Sequence, residues 1–289
     1  MSHPTLSTRG EADFDLYPYN PSAAAGYAFV VLFGIGGAVH LVFVWPLRAW
    51  FFIPLILGCV GEAFGYYGRA QSHDNIRNGS PYLLQLMLIL ASAPLVAATI
   101  YMTLGRIIRT LDAEHHAMIR TRWLTKLYVV IDVGSFVCQM MGSAMQSSGD
   151  PAGVKLGIKI VVGGLGFQLA AFLFFIAMAW RFHFRLNREP TSISRHPQIQ
   201  WRRDMWVLYT TSILIFVRST FRIIEFVEGN EGAIYTHEAF LYVFDAFLMF
   251  LVVTILAVFH PARLIKNCNQ IRKSRANEED VESILITSH

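Results

Sequence analysis

The chain has 289 residues, of which 54% are hydrophobic and only 15% charged, where soluble domains usually carry about a quarter. With a mean hydropathy of +0.43, this composition excludes an ordinary globular domain. The net charge of +4 is read as loop charge of a membrane protein, not as a nucleic-acid footprint.

A polar segment carrying Glu11, Asp13 and Asp15 comes first, and then the apolar residues fall into blocks of about 20, long enough to cross a hydrocarbon core as helices. Seven spans are predicted, at 23–45, 49–70, 81–105, 124–146, 157–180, 204–227 and 238–260. A cleaved signal peptide needs a basic start and a shorter apolar core, so the first block is expected to be a retained span. The fold class is all-α, a polytopic membrane protein with a seven-transmembrane helix bundle. Its expected organisation is an external segment 1–22, a bundle over 23–266, and a polar tail 267–289 that is disordered or lies on the membrane surface.

Basic residues orient the spans. Loops 46–48, 106–123, 181–203 and the chain after His260 hold 16 Lys and Arg, against five on the other side. The N-terminus is therefore expected outside and the C-terminus in the cytoplasm. The sequon Asn78-Gly79-Ser80 falls in an outside loop, so near the membrane and Pro81 that its use stays open.

Several classes lose support. Cys59, Cys138 and Cys268 have no CxxC partner, which removes a zinc knuckle or a disulfide framework. The chain has no Walker-type phosphate loop. Span seven lacks the lysine a retinal protein needs, and the usual receptor motifs of spans three and seven are missing. His237 and His260 lie about 35 Å apart along a helix and cannot share one metal ion. No cofactor and no metal are expected.

The functional signal is charge inside the membrane. An ionised group at the bilayer centre costs about 2.5–3.5 kcal/mol on insertion scales. Glu62, Asp132, Arg218, Arg222, Glu225 and Asp245 all fall within spans and must face each other or water. Arg218, Arg222 and Glu225 share one helix face at i, i+4, i+7. Glu238, Tyr242 and Asp245 repeat that spacing in span seven, as do Glu62, Tyr66 and Arg69 in span two. These stripes predict one polar cluster lining a cavity open to the outer leaflet; a purely architectural ion-pair network is the competing reading. Tyr66, Tyr242, Gln139 and Gln168 enlarge the polar surface. In span four, Asp132, Ser135, Gln139, Gly142 and Gln146 form either a polar track or an amide face hydrogen-bonded to neighbours. Gly58, Gly61, Gly65 and Gly68 in span two, and Gly163, Gly164 and Gly166 in span five, are expected to let helices approach closely. His40 and His260, both in the inner half, are packing residues, a polar or proton-relay pair, or haem ligands.

The run from Val217 through Arg218, Arg222 and Glu225, followed by Gly229, Glu238, Asp245 and His260-Pro261, resembles the fungal lipid-translocating exporter family, the RTA-like seven-span amphiphile-resistance proteins. The segments Glu62–Arg69, Tyr101–Arg106, Asp132–Gln139 and Gly164–Gln168 look like that family too, so the resemblance covers about residues 17–266. It implies a membrane protein, at the plasma membrane, that exports or binds amphiphilic lipids such as sphingoid bases, phospholipids or porphyrin-like molecules. Glu62, Glu238 and Asp245 are expected to draw in a cationic headgroup, with Arg218 and Arg222 holding the acids ionised or taking the phosphate of a zwitterionic substrate. Neutralising Asp245 is expected to lower amine-lipid binding without unfolding the bundle. Competing readings are a lipid sensor, with a cytoplasmic partner at loop 181–203 or the tail, and a metal-dependent lipid hydrolase; the oligomeric state, including a homo-oligomer, stays open.

Overall fold

The computed structural model describes residues 17–146, 151–228 and 236–287. Most of the predicted external segment, and Gly229, lie outside those residues, as does the Gln146 side chain.

Among the described residues seven helices are long and apolar enough to span a membrane, as the hydropathy blocks predict. They are α1 (Ala23–Leu47), α2 (Ile53–Gln71, entered through a 3-10 turn Trp50–Phe52), α3 (Gly79–Thr110), α4 (Thr121–Gln146), α5 (Pro151–Arg188), α6 (Trp201–Glu228) and α7 (238–258). The chain runs up and down, so one end of the bundle gathers Tyr17, Arg69 and Glu238 and the other gathers Trp50, Asp204 and His260. These are called the Tyr17 end and the His260 end. All six tryptophans belong to the His260 half, and five of them, Trp45, Trp50, Trp123, Trp180 and Trp206, are exposed like an interfacial belt.

Two predicted boundaries move. α5 continues to Arg188, so much of the expected loop 181–203 is helix. The tail is also helical: α8 (Ala262–Thr287) leaves α7 at Pro261, which cannot continue the helix hydrogen bonding. Leu264, Cys268 and Ile271 recur at i, i+4, i+7 and are buried, which gives α8 an apolar stripe to pack. Arg272 then donates to the carbonyls of Arg109 (3.3 Å) and Thr110 (3.1 Å) at the end of α3 and pairs with Asp112. Capping of that kind satisfies carbonyls that a helix end leaves unpaired.

The interior belongs to some helices more than others. Half of the apolar window of α2, α3 and α6 is buried, against 22% for α1 and α5, which leaves the latter mostly facing outward. Glycines set the α2–α3 contact: a Cβ on Gly68 would stand 2.8 Å from the Pro81 carbonyl. In span five only Gly164 does similar work, against Cys138, while Gly163 and Gly166 face open space.

α7 is not one regular helix. Between α turns Glu238–Leu241 and Leu248–Val258, residues Tyr242–Phe247 form a π-helical segment that contains Asp245. Such wide turns are uncommon and concentrate at functional sites.

Candidate functional site

The site is built on three helices. Arg218, Arg222 and Glu225 point from one face of α6, Glu62 and Tyr66 from α2, and Asp245 from the π segment of α7. Arg218 Nε lies 2.5 Å from Asp245 Oδ1, and Arg222 reaches both Asp245 oxygens, through Nε at 3.3 Å and through a closer contact of its terminal amine. Arg222 also donates to Glu225 Oε2 at 2.9 Å, and the Tyr66 hydroxyl donates to Asp245 at 3.4 Å. Arg218 makes a further bond to the Ile89 carbonyl at 3.4 Å. Asp245 is 0% exposed and Glu62 1%, so this is a desolvated core and not a surface network.

Glu62 differs from its neighbours. It shares electrostatic contact with Arg218, Arg222 and Asp245, yet both its carboxylate oxygens are buried and make no hydrogen bond among the described residues. Two arginines face three acids here, so an ionised core carries one negative charge more than its cations balance. Leaving a buried carboxylate uncompensated is costly, and such groups mark function more often than architecture.

A second layer sits above, toward the Tyr17 end. Arg69 pairs with Glu238 at 3.0 Å and donates to the hydroxyls of Tyr19 (2.8 Å) and Tyr242 (3.2 Å). Its guanidinium also lies over the rings of Tyr17, Tyr19 and Tyr242 at 5.3–5.7 Å. The segment before α1 folds across this layer as a cover. Tyr17 donates to Gln85 (2.8 Å) and contacts Ser72 (3.2 Å), His73 meets the Pro21 carbonyl (2.8 Å), and the Ser22 amide donates to Glu238 (2.9 Å). Burial pushes the Tyr17 phenol up to about 12, the Ser72 hydrogen bond opposing it. Phe29 and Phe33 of α1 stack on Tyr242 and Tyr66 and join the two layers.

Every member of the three predicted stripes is thus brought to this region, but the stripes do not line an open cavity. Glu238 and Asp245 are consumed by arginines, which removes them as free acceptors for a headgroup and leaves Glu62. Sequence reasoning missed Tyr17, Tyr19, Gln85 and Ser72. The paired tyrosines before span one were their only signal.

The remaining predicted residues lie elsewhere. Gln168 of α5 donates to Asp132 at 3.0 Å and accepts from Gln139 at 3.2 Å, and the Tyr101 hydroxyl joins Asp132. Gly142 lies against the Gly157 carbonyl, where a Cβ would stand only 2.6 Å away. Among the described residues the α4 face is therefore an amide chain packed on α5. His40 bonds the Val253 carbonyl at 3.0 Å, and its ring lies 5.7 Å from that of His260. Phe52 packs on both rings, 4.1 Å from His260, so the pair is filled by aromatic packing with no slot for a haem plane. Among the described residues no group of three His, Cys, Asp or Glu side chains could hold a metal ion. The α5–α6 connection forms a separate open pocket of about 520 Å³ lined by Arg195, His196, Arg202 and Arg203.

A seven-helix bundle with its ionised side chains turned inward, under an aromatic cover, is a polytopic membrane protein built around a polar core. Residues 55–268 match the family described as RTA1 like protein, and the chain belongs to that family. It is 33% identical to Protein RTA1 of Saccharomyces cerevisiae, covering 95% of each chain. It is 34% identical to Protoporphyrin uptake protein 1 of the same yeast, over 86% of this chain and 92% of that one. To the Sphingoid long-chain base transporter RSB1 it is 24% identical, over 93% and 81%. No solved structure matches the chain.

Proposed function

We propose that the chain moves amphiphiles with a cationic amino headgroup across the membrane, and so gives resistance to toxic amphiphiles at the plasma membrane. The carrying observation is Glu62: a buried carboxylate with no hydrogen-bond partner, in a core where three acids meet two arginines. One ammonium headgroup balances that charge. Arg218 and Arg222 are already neutralised by Asp245 and Glu225, so they hold the acceptor in place without competing for the ligand. The aromatic rings of Tyr66, Tyr242 and Phe29 suit an ammonium group, which is drawn to the faces of such rings. The acyl tail stays in lipid between the helices. Entry requires the cover Tyr17–Ser22 to lift, because its tyrosines and Ser22 close the layer above. With the N-terminus outside, as the basic loops suggest, that cover faces the exterior. Relatives named as a sphingoid base transporter and a porphyrin uptake protein support the reading of an amphiphile carrier.

The test is movement of a fluorescent sphingoid base and a fluorescent phosphatidylcholine in proteoliposomes, with Glu62→Gln beside the wild type. A charge-assisted hydrogen bond is worth about 1.5–3 kcal/mol, so amine-lipid movement should fall roughly ten- to hundredfold while the bundle stays folded. Unchanged movement of the amine in the folded variant would refute the assignment.

One observation favours a second reading. The basic pocket at Arg195, Arg202 and Arg203 would suit an acidic cytoplasmic partner, and hence a lipid sensor. Alanine at those three arginines should then abolish the resistance phenotype while lipid movement continues.

A further inference from the structure

Asp204 lies in the first turn of α6, at the His260 end. It is 1% exposed, and apart from its own backbone amide neither carboxylate oxygen has a hydrogen-bond partner among the described residues. Its side chain lies in a close-packed crevice with Ile100, Thr103, Thr211, Leu256 and Pro261, too narrow for a water molecule, so that α3, α6 and the end of α7 form the walls.

The chemistry of those walls is one-sided. The Thr103 hydroxyl donates to the Thr99 carbonyl at 2.7 Å, and the Thr211 hydroxyl to the Val207 carbonyl at 2.9 Å. With their protons committed to their own helices, both threonines offer only lone pairs to the crevice. The C-terminal end of α7 adds the negative pole of its helix dipole. A hydrogen on Asp204 is the donor that these lone pairs lack. The N-terminus of α6 brings its positive pole from the other side. The titratable and charged groups that face Asp204 are Arg203 of α6 and the Cys268 thiol of α8, whereas α3 and α7 present neutral side chains.

Geometry ties this position to the ionic core. Asp204 and Arg218 are on the same helix, about 21 Å apart at 1.5 Å per residue. Leu256, on the crevice wall, and Asp245, in the core, are both carried by the last span, with part of the π segment between them. The two helices that hold the arginine–aspartate pairs also hold the crevice. A change in how α6 and α7 pack at one end thus has a continuous pair of helices through which to reach the other.

We infer that Asp204 is a proton-binding site, and that its loading and release from the His260 end drive amphiphile movement at the core. No covalent step is involved: the carboxylate takes up a proton and gives it back, and because the crevice leaves no room for water the exchange requires α6 and α7 to part at the His260 end. The inference rests on the translocation reading above and supplies the driving ion for a chain with no Walker-type nucleotide site.

The experiment uses the full chain in proteoliposomes with a fluorescent sphingoid base, with and without an imposed pH gradient of either sign. Wild type should accumulate the probe under one sign of gradient. In Asp204→Asn that accumulation should fall at least about tenfold, within the usual range of coupling strengths, while exchange of probe without a gradient persists. Asp204→Glu, which keeps a titratable group, should retain gradient-driven accumulation and guards against a variant that only misfolds. Accumulation undiminished in Asp204→Asn, or driven in wild type by sodium and not by protons, overturns the inference. Infrared difference spectra on a pH jump provide a readout independent of transport. A carboxylic-acid band lost in Asp204→Asn supports proton binding, and a spectrum the substitution leaves unchanged overturns it. If wild type moves no probe at all yet shows that band, the translocation reading and the driving role fail and the proton site stands.

Discussion

The α6–α7 interface and the α4–α5 interface both bury polar side chains at membrane depth, and they solve the same problem differently. Around Asp245 the groups are ionised, two arginines share one carboxylate, and Glu62 remains unmatched. Around Gln168 the partners are mostly neutral, and Asp132 and Gln139 are linked to it in a short chain. Hydrogen bonds between membrane helices average only about 0.6 kcal/mol, whereas breaking a buried ion pair costs about 3–5 kcal/mol. One interface is a modest adhesive between spans; the other holds a buried carboxyl, Glu62, that no described residue hydrogen-bonds.

The sharpest way to break that contrast is Asp245→Asn. It leaves Arg218 and Arg222 buried without their shared carboxylate and should destabilise the bundle by about 3–5 kcal/mol, read as loss of monodisperse protein and a lowered Tm in detergent. This reverses the sequence-based expectation that neutralising Asp245 spares the fold, because the structure shows two arginines resting on it. Next comes Gly142→Ala, whose Cβ would stand 2.6 Å from the Gly157 carbonyl. Overpacking of that kind costs about 1–3 kcal/mol, and amide exchange in α4 and α5 should quicken while the ionic core is unaffected. Gln168→Leu removes two bonds of the amide chain and should cost only about 1–2 kcal/mol, with amine-lipid movement preserved. A loss of movement as large as that expected for Glu62→Gln would erase the distinction between the two interfaces.

The smallest effect concerns the cover. Tyr17 titrates near 12 in the folded chain against 10 when exposed, so the neutral phenol favours the closed cover. Its contribution is fully present below pH 10 and is lost as pH rises through 12. Tyrosinate absorbance of wild type minus Tyr17→Phe should show one late-titrating phenol, and the cover should become accessible to protease over the same range.

Much of this was legible beforehand because membranes impose simple rules. Span number follows from block length, and the inward set Glu62, Arg218, Arg222 and Asp245 follows from the cost of charge in lipid together with helical spacing. Pairing was not legible. Periodicity places Glu238, Tyr242 and Asp245 on one stripe, but it cannot tell that Arg69 takes Glu238 while the α6 arginines take Asp245. Asp204 was passed over since it stands at a predicted span boundary, where an acid normally meets water. α8 was missed because its apolar stripe of Leu264, Cys268 and Ile271 is thin and surrounded by charge.

The π segment in α7 carries one extra residue per turn relative to its neighbours. At about 100° per residue, everything after it is turned by roughly that angle from where an uninterrupted α-helix would put it. Val253 meets His40 and Leu256 reaches the Asp204 crevice in this turned register. Phase is therefore a quantity the last span stores. Deleting one residue within 242–247 would reset it and rotate the whole lower half of the helix out of alignment, leaving the composition of that half untouched.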